Sequence, residues 1–456
     1  MKRKISVILI SSAYLISLIT NPVMALDNNE IASEVLQPAT KAVANKGQVE
    51  QILKNGLKNP LFSSGYGISV RDLTDGQIIY EENSEESMMP ASLTKIYTAA
   101  SASLQLDPDA RFVTRTKFLN NKVYLVGGGD PQLGTDSNSK IADLEDLAIQ
   151  TAQKLKTFNA YQVSVVVDDS ALGALQRPKD WLDTYFITSE IHLISALNLD
   201  DPVAPKQAPT DPSIATGKTF SAYLAKYGII VNEEVTRAQA PKESFEIGVE
   251  YSKSVSQLIE DTLLISNNQD AEIISRVAAA IAKGNPSTTS ATDLVLADVE
   301  KLGVSSVDSI LADTSGLSRS NRISPSDLSE VIYRTIKNPP ITVEAKGDIT
   351  KFLITPTVPI APDPWSVFTG LPTAHGLGTM KKRFNEKNSP GRGVIRAKTG
   401  TLNEVITLAG TLTTKDNVNL SFAILVEKVN EPKKVREALD QLLNGLATCN
   451  CAISEE

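Results

Sequence analysis

The chain changes its pattern of apolar and polar positions several times, and each change predicts a different element. Lys2, Arg3 and Lys4 precede an apolar run from Ile5 to Thr20. Asn21-Pro22 and the small-residue tripeptide Val23-Met24-Ala25 follow. That order predicts a secretory signal cleaved after Ala25. The run is shorter than the roughly 20 apolar residues a membrane span needs, and no cysteine stands at the junction to take a lipid. Residues 27–47 are polar and small, and read as a leader. Val49, Ile52, Leu53 and Leu57 then fall on one helical face. Tyr66, Ile68 and Val70 alternate with Gly67, Ser69 and Arg71. Asp75-Gly76 turns the chain and Gln77 to Tyr80 returns, which predicts a hairpin. Pro90-Ala91-Ser92 opens a helix of small residues through Leu104.

After Pro108 the pattern becomes strand-like at Arg111 to Phe118, Val123 to Val126 and Val163 to Val167, with a helical stretch at Ile141 to Leu155. From Val255 it is helical again, through Leu258, Ile259, Leu263 and Ile265, then Ile273 to Ile281. Strands follow at Val394 to Ala397, Val405 to Leu412 and Leu420 to Val426, and an amphipathic helix at Pro432 to Leu446. A helix and hairpin at one end and a hairpin and helix at the other can complete one antiparallel sheet, with the middle inserted. The expected boundaries are a leader at 26–48, a catalytic domain from 49–106 and 255–448, an inserted α/β domain at 107–254, and a tail at 449–456.

Composition narrows the function. The chain has 456 residues and a hydrophobic fraction of 41%, enough for more than one folded core. A net charge of −8 argues against a nucleic-acid partner. The two cysteines, Cys449 and Cys451, are separated by one residue. An intrachain bridge is hard to close at that spacing, so free or intermolecularly paired thiols are expected. Without nearby histidines they make a poor zinc site, and neither a metal nor a cofactor is expected. His192 and His375 are the only histidines, and neither lies in a catalytic context. A serine hydrolase built from this chain needs a base other than histidine.

Lysine is the candidate. Ser92-Leu93-Thr94-Lys95 places a serine and a lysine one helical turn apart, on one face. Burial disfavours an ammonium, and the neutral amine can take the serine proton. Ser137-Asn138-Ser139-Lys140 has the same spacing but no apolar entry. Ser266-Asn267-Asn268 follows an apolar helix; the Ser266 hydroxyl can relay a proton and the Asn268 amide can hold a carbonyl or a lysine. Lys398-Thr399-Gly400-Thr401 follows a strand. There Lys398 and the hydroxyls of Thr399 and Thr401 can bind a carboxylate, and Gly400 can let a substrate backbone approach. The N–H groups of Ser92 and Thr401 can form an oxyanion hole.

These three elements, in this order, mark serine β-lactamases and penicillin-binding proteins. Longer stretches sharpen the likeness: Val123 to Pro131, Ile194-Ser195-Ala196-Leu197, Asp313 to Arg319, Gly378 to Arg383, and Arg396 to Leu402. Over about Val49 to Val426 the chain resembles the class C low-molecular-mass penicillin-binding proteins, the D-Ala-D-Ala carboxypeptidase/endopeptidase family. The resemblance implies an α/β (α+β) fold of the β-lactamase/transpeptidase type, an antiparallel sheet flanked by helices with one inserted domain. It implies an acyl-enzyme on Ser92 with Lys95 as base, assisted by Ser266, Asn268 and Lys398. Peptidoglycan peptides are the implied substrates and β-lactams the implied inhibitors, in the periplasm or cell wall, with loose attachment to membrane or wall as an option. Leu317, Arg319 and Trp181 match residues beside the substrate's diamino-acid side chain, although Leu317 and Trp181 read equally well as packing.

The chain departs from the family in three places. Asn267 stands where aspartate is common, a position expected to face away from the catalytic pair. Thr314 stands where glycine is frequent. The span from Ser92 to Ser266 (266 − 92 = 174 positions) is short, which implies that a small further domain of longer members is missing between Leu197 and Phe220. A β-lactamase, or a non-catalytic β-lactam or peptidoglycan sensor, are the alternative readings. The first fits poorly with the large insert, the second with the full set of catalytic positions.

Overall fold

The computed structural model describes residues 42–453 except 64, 136–141, 176, 179, 201–208, 338–347 and 355–363. The expected signal segment, most of the leader and the second S-x-x-K at Ser137–Lys140 therefore lie outside the described residues, as does much of the short passage after Leu197.

Asn45 accepts a hydrogen bond from Gln48 N and caps a helix at Lys46–Gly56, which opens within the stretch read as leader. Val49 and Leu53 form its buried face. β1 (Tyr66–Asp72) and β2 (Ile78–Glu82) make the expected antiparallel hairpin. Gly76 carries the turn at φ +80°, where a side chain would be strained. The next helix, Thr94–Gln105, is buried along all 12 residues. Its small side chains let neighbours approach on every side. Its polar groups are satisfied inside the core: Thr98 donates to Thr314 O, and Ser101 and Gln105 donate to the Asp298 carboxylate.

β3 (Arg111–Leu119) and β4 (Lys122–Gly127) are antiparallel. Asp143 caps the helix Leu144–Thr157, so the helix starts after the expected Ile141. β5 (Gln162–Asp168) returns parallel to β4. Past the helix Pro212–Lys226 come β6 (Ile230–Val231) and β7 (Thr236–Arg237), both on β5, and then β8 (Phe245–Ser254) along β3. The sheet order is β6-β5-β4-β3-β8. One short strand, β9 (Leu353–Ile354), joins β3 from far downstream. The two helices cover one face of this sheet, around Leu125, Leu147, Val165 and Phe220.

β8 runs directly into the helix Val255–Ile265, whose start is a capping box of Ser254 and Gln257. Helices Asn268–Lys283, Thr288–Lys301 and Pro325–Lys337 follow. β10 (Ile395–Leu402), β11 (Val405–Thr413) and β12 (Asn419–Glu427) then lead to the last helix, Pro432–Ala447. The five-stranded order β10-β11-β12-β1-β2 draws one antiparallel sheet from both ends of the chain. Leu408 and Ile424 face the core under the terminal helices, and Ala409 and Ala423 face the core around the helix Thr94–Gln105. Coverage on both faces is why these strands read as continuous apolar runs rather than alternating ones.

The glycine-rich turn after β4 packs the two parts of the molecule together. A β-carbon would lie 2.3 Å from Ala196 O at Gly127, 2.3 Å from Val113 O at Gly128, and 2.9 Å from Val277 Cγ2 at Gly129.

The cysteine expectation needs correction. Cys449 and Cys451 are paired in a disulfide, with Cα atoms 5.2 Å apart, inside the range a bridge requires. Asn45 N donates to Cys451 O and Ile453 N donates to Val43 O. The chain end is thereby bound to the start of the first helix, and Cys451 is held beside the helix end that carries Cys449. Among the described residues no helix is long and apolar enough to cross a membrane.

Candidate active site

Ser92 lies in a short 3-10 turn, Ala91–Leu93, immediately before the helix that carries Lys95. Lys95 is fully buried and its Nζ has three neighbours: Ser92 Oγ at 3.3 Å, Asn268 Oδ1 at 2.7 Å and Ser315 O at 2.5 Å. The first two motifs therefore converge on one nitrogen. Burial lowers the Lys95 pKa to about 8, against the opposing charges of Asp313, Glu272, Asp270 and Glu190.

Asn268 opens the helix Asn268–Lys283, and its Nδ2 donates to Glu190 O, which fixes which end of the amide faces Lys95. Asn267, the departure from the family pattern, caps this helix by accepting from Gln269 N and Asp270 N. An aspartate could accept the same two bonds. Ser266 ends the preceding helix in the left-handed conformation, φ 63°. The sharp turn sets it two residues before Asn268, and its hydroxyl has no hydrogen-bond partner among the described residues.

Lys398 stands on β10 and is fully buried. Its Nζ donates to Thr399 O at 2.9 Å. Burial first, and the neighbouring charge of Lys95 second, push its pKa well below the ordinary lysine value. The charge of Lys95 thus disfavours that of Lys398, whereas for Lys95 itself burial is what lowers the pKa. Thr401 is exposed on the same strand and Thr399 is half-buried.

Gly400 is closely surrounded by the protein itself. A β-carbon there would meet Thr407 Oγ1 at 2.0 Å, Pro90 O at 2.9 Å and Ala91 Cβ at 3.2 Å. Its missing side chain leaves room for Thr407 and for the protein's own serine turn. Thr407 donates to Pro90 O at 2.9 Å and ties β11 to the same turn.

A third surface of the site lies outside the three motifs. The loop Asp313–Ser318 is clamped by two buried carboxylates. Asp313 accepts from Gly316 N, Ser318 N, Asn321 Nδ2 and the Trp181 indole N–H at 2.6–2.8 Å. Glu272 Oε1 accepts from Thr314 N at 2.9 Å and Ser315 N at 2.8 Å. With its N–H groups fixed, the loop aims Ser315 O at Lys95. Gly316, at φ +85°, lies against the serine turn, where a β-carbon would be 2.0 Å from Ala91 O and 3.0 Å from Ser92 N. Thr314 is fully buried, with its hydroxyl 2.7 Å from Ser275 Oγ, so it belongs to this packing. Glu272 and Arg276 are both buried one helical turn apart. Charged residues on the apolar face of a helical pattern were the available signal for this clamp.

Trp181 and Leu317 are buried in the main core. Trp181 braces Asp313 instead of facing open space. Arg319 is half-exposed and donates to Asn403 O at 2.8 Å, joining the clamped loop to the turn between β10 and β11. Neither histidine hydrogen-bonds to Ser92 or Lys95.

Residues 46–204 and 200–446 match the model of the D-Ala-D-Ala carboxypeptidase 3 (S13) family, and the chain belongs to that family. It is a class C low-molecular-mass penicillin-binding protein, a serine-type D-Ala-D-Ala carboxypeptidase. A carboxypeptidase of Mycobacterium tuberculosis is 27% identical over 401 residues, which span 84% of this chain and 80% of that one. A D-alanyl-D-alanine carboxypeptidase of Haemophilus influenzae is 24% identical over 428 residues, 79% and 84% of the two chains. The fold is that of penicillin-binding protein 4 from Haemophilus influenzae, whose crystal structure superposes with a TM-score of 0.68 at 20% identity, covering 88% of this chain and 98% of that one. That protein has also been solved with a bound β-lactam.

Proposed function

We propose that Ser92 is the acylated nucleophile and Lys95 its general base. The contacts of Lys95 Nζ carry this reading. A neutral amine has two protons and one lone pair. Asn268 Oδ1 and Ser315 O, the two nearer neighbours, can only accept, so they take both protons. The lone pair is then left for the Ser92 hydroxyl at 3.3 Å. Ser92 Oγ attacks the carbonyl between the two D-alanines, and its proton passes to Lys95. The C–N bond breaks, the terminal D-alanine leaves with a proton returned from Lys95 or relayed by Ser266, and an ester remains on Ser92. Water then releases the shortened stem peptide. The N–H groups of Ser92 and Thr401 receive the oxyanion, and Lys398 with the hydroxyls of Thr399 and Thr401 receives the terminal carboxylate. An endopeptidase cut of a crosslink uses the same chemistry with a larger amine as leaving group. The pattern of residues 1–25 supports export to the periplasm or cell wall.

Two tests address this reading. Incubation with a β-lactam is expected to leave one covalent adduct, on Ser92, when mapped by peptide mass spectrometry, and Ser92→Ala to leave none. A label on another residue would overturn the assignment. Arg319 is expected to favour stems with a carboxylate on the third residue, since a guanidinium can bind one with two parallel bonds. Cleavage of diaminopimelate stems is expected to fall about tenfold in Arg319→Ala relative to lysine stems, for loss of a charge-assisted bond of about 1.5 kcal/mol. An equal fall for both stems would leave Arg319 only its bond to Asn403 O.

A further inference from the structure

To act as base, Lys95 has to become an ammonium where a cation has little support. It is fully buried, and Lys398, a second lysine, is close by. The atoms within hydrogen-bond distance of its Nζ, on Ser92, Asn268 and Ser315, are all uncharged. Carboxylates face it only from further off: Asp313 in the clamped loop, Asp270 and Glu272 on the helix Asn268–Lys283, and Glu190. Asp313 has a path to the amine. Ser315 O, which accepts from Lys95 Nζ at 2.5 Å, belongs to the same peptide group as Gly316 N, and Gly316 N donates to Asp313 Oδ1 at 2.8 Å. That peptide lies head to tail between the two, its N–H toward the carboxylate and its C=O toward the amine. A peptide dipole is about 3.5 D, and a charge at either end polarises it further. By the bond lengths along this path, the carboxylate oxygen and the amine nitrogen are no more than about 8 Å apart.

The charge of Asp313 is not spent on another cation. Asp313 is fully buried, and its four donors, Gly316 N, Ser318 N, Asn321 Nδ2 and the Trp181 indole N–H, are all neutral. Among the described residues it makes no ion pair. Glu272 differs on both counts. Arg276 lies 3.9 Å from its carboxylate. The two peptide groups it holds, through Thr314 N and Ser315 N, carry the carbonyls of Asp313 and Thr314, and Thr314 O accepts from Thr98 instead of Lys95.

We propose that Asp313 is a positioning residue of the acylation step: through the Ser315–Gly316 peptide, its charge steadies the ammonium that forms when Lys95 takes the Ser92 proton. The inference rests on Lys95 being the base. In that step the Ser92 O–H bond breaks and its proton goes to the lone pair of Lys95. Oγ bonds to the carbonyl carbon, whose π pair becomes the oxyanion. The new positive charge thus appears at one end of an aligned peptide whose other end meets a fixed negative charge. A carboxylate that only shaped the loop would need its four hydrogen bonds and not its charge.

The experiment follows β-lactam acylation against pH in the wild type, Asp313→Asn and Trp181→Phe. Asp313→Asn removes the charge. Trp181→Phe removes one of the four hydrogen bonds but leaves the charge and the peptide path. The wild-type rate should turn at about pH 8. Without the carboxylate the ammonium loses support, so in Asp313→Asn the turn should move down to about pH 7, the scale of one lost opposite charge. The plateau should fall at least about tenfold. In Trp181→Phe the turn should stay near pH 8, whatever happens to the plateau. A turn that Asp313→Asn leaves in place, or that Trp181→Phe moves as far, would reduce Asp313 to a structural clamp and overturn the inference. A wild-type profile with no turn would instead remove Lys95 as base, and the inference with it. The wild type gives a second reading that does not depend on the folding of Asp313→Asn. Labelling with carbonyl-carbon-13 serine and nitrogen-15 glycine selects the amides of the two Ser-Gly pairs in the sequence, Ser64-Gly65 and Ser315-Gly316, and Gly65→Ala removes the first. The Gly316 amide resonance should shift with a midpoint near pH 8 in the wild type and hold still in Lys95→Met. A Gly316 amide that does not follow Lys95 would overturn the proposal.

Discussion

Lys95→Arg is expected to lower the rate of β-lactam acylation by at least about a hundredfold, the usual contribution of a positioned general base. The substitution keeps a cation and its hydrogen-bond donors but removes the lone pair, since a guanidinium does not deprotonate near neutral pH. Stopped-flow or gel-based acylation kinetics measure it, and Lys95→Met, which carries no charge, should be as slow. The wild type supplies a pH signature. The active form is the neutral amine, so the acylation rate should rise with pH through about 8, where burial holds the Lys95 pKa, and level off above it. A base with the ordinary lysine value would keep rising past pH 10. Lys95→Arg should lose this inflection. An unchanged rate in Lys95→Arg, or a flat profile in the wild type, would remove Lys95 from the role of base.

Gly316→Ala is expected to lower acylation by about a hundredfold, the scale associated with a nucleophile displaced by roughly 1 Å. It should also destabilise the protein by about 2–5 kcal/mol, from overpacking together with a side chain at positive φ. The new β-carbon would lie 2.0 Å from Ala91 O and 2.5 Å from Ala91 C, backbone atoms of the turn that presents Ser92. The neighbours cannot swing aside as a flexible side chain would. Either the clamped loop withdraws, carrying Ser315 O from Lys95, or the serine turn moves. Gly284→Ala is the control: φ is +70° and no other group lies within 4 Å of the added carbon. It should cost about 1 kcal/mol in thermal unfolding and leave acylation unchanged. Equal acylation losses in the two variants would mean that Gly316 matters only through general stability.

The chemistry was legible in the sequence because covalent spacing alone creates part of it. A serine three positions before a lysine at a helix start must share a face with it, and Lys95 Nζ indeed lies 3.3 Å from Ser92 Oγ. Strand runs such as Val405 to Leu412 and the helix at Pro432 were legible for a similar reason: repeating apolar positions report local geometry directly. The helices Thr288–Lys301 and Pro325–Lys337 were passed over, and both are built into the tertiary packing around the nucleophile helix. Their positions follow from what they cover.

Other features arise between segments that the sequence separates widely. Nothing local to Glu272 announces that its carboxylate holds Thr314 N and Ser315 N, or that Gly316 must lack a side chain because Ala91 O lies against it. The same holds for Gly400, whose missing side chain serves Thr407 and Pro90, and for Trp181, whose indole N–H is taken by Asp313. The Cys449–Cys451 pairing contradicts a judgement from spacing because the segment after the last helix is hydrogen-bonded back to residues 43–45. By itself the sequence determined which residue types could perform acyl transfer and placed each on a helix start or strand. Only the tertiary structure decided how far Lys95 loses its proton and which carbonyls occupy its N–H groups. Desolvation and hydrogen-bond geometry depend on everything that surrounds an atom, and most of those surroundings come from elsewhere in the chain.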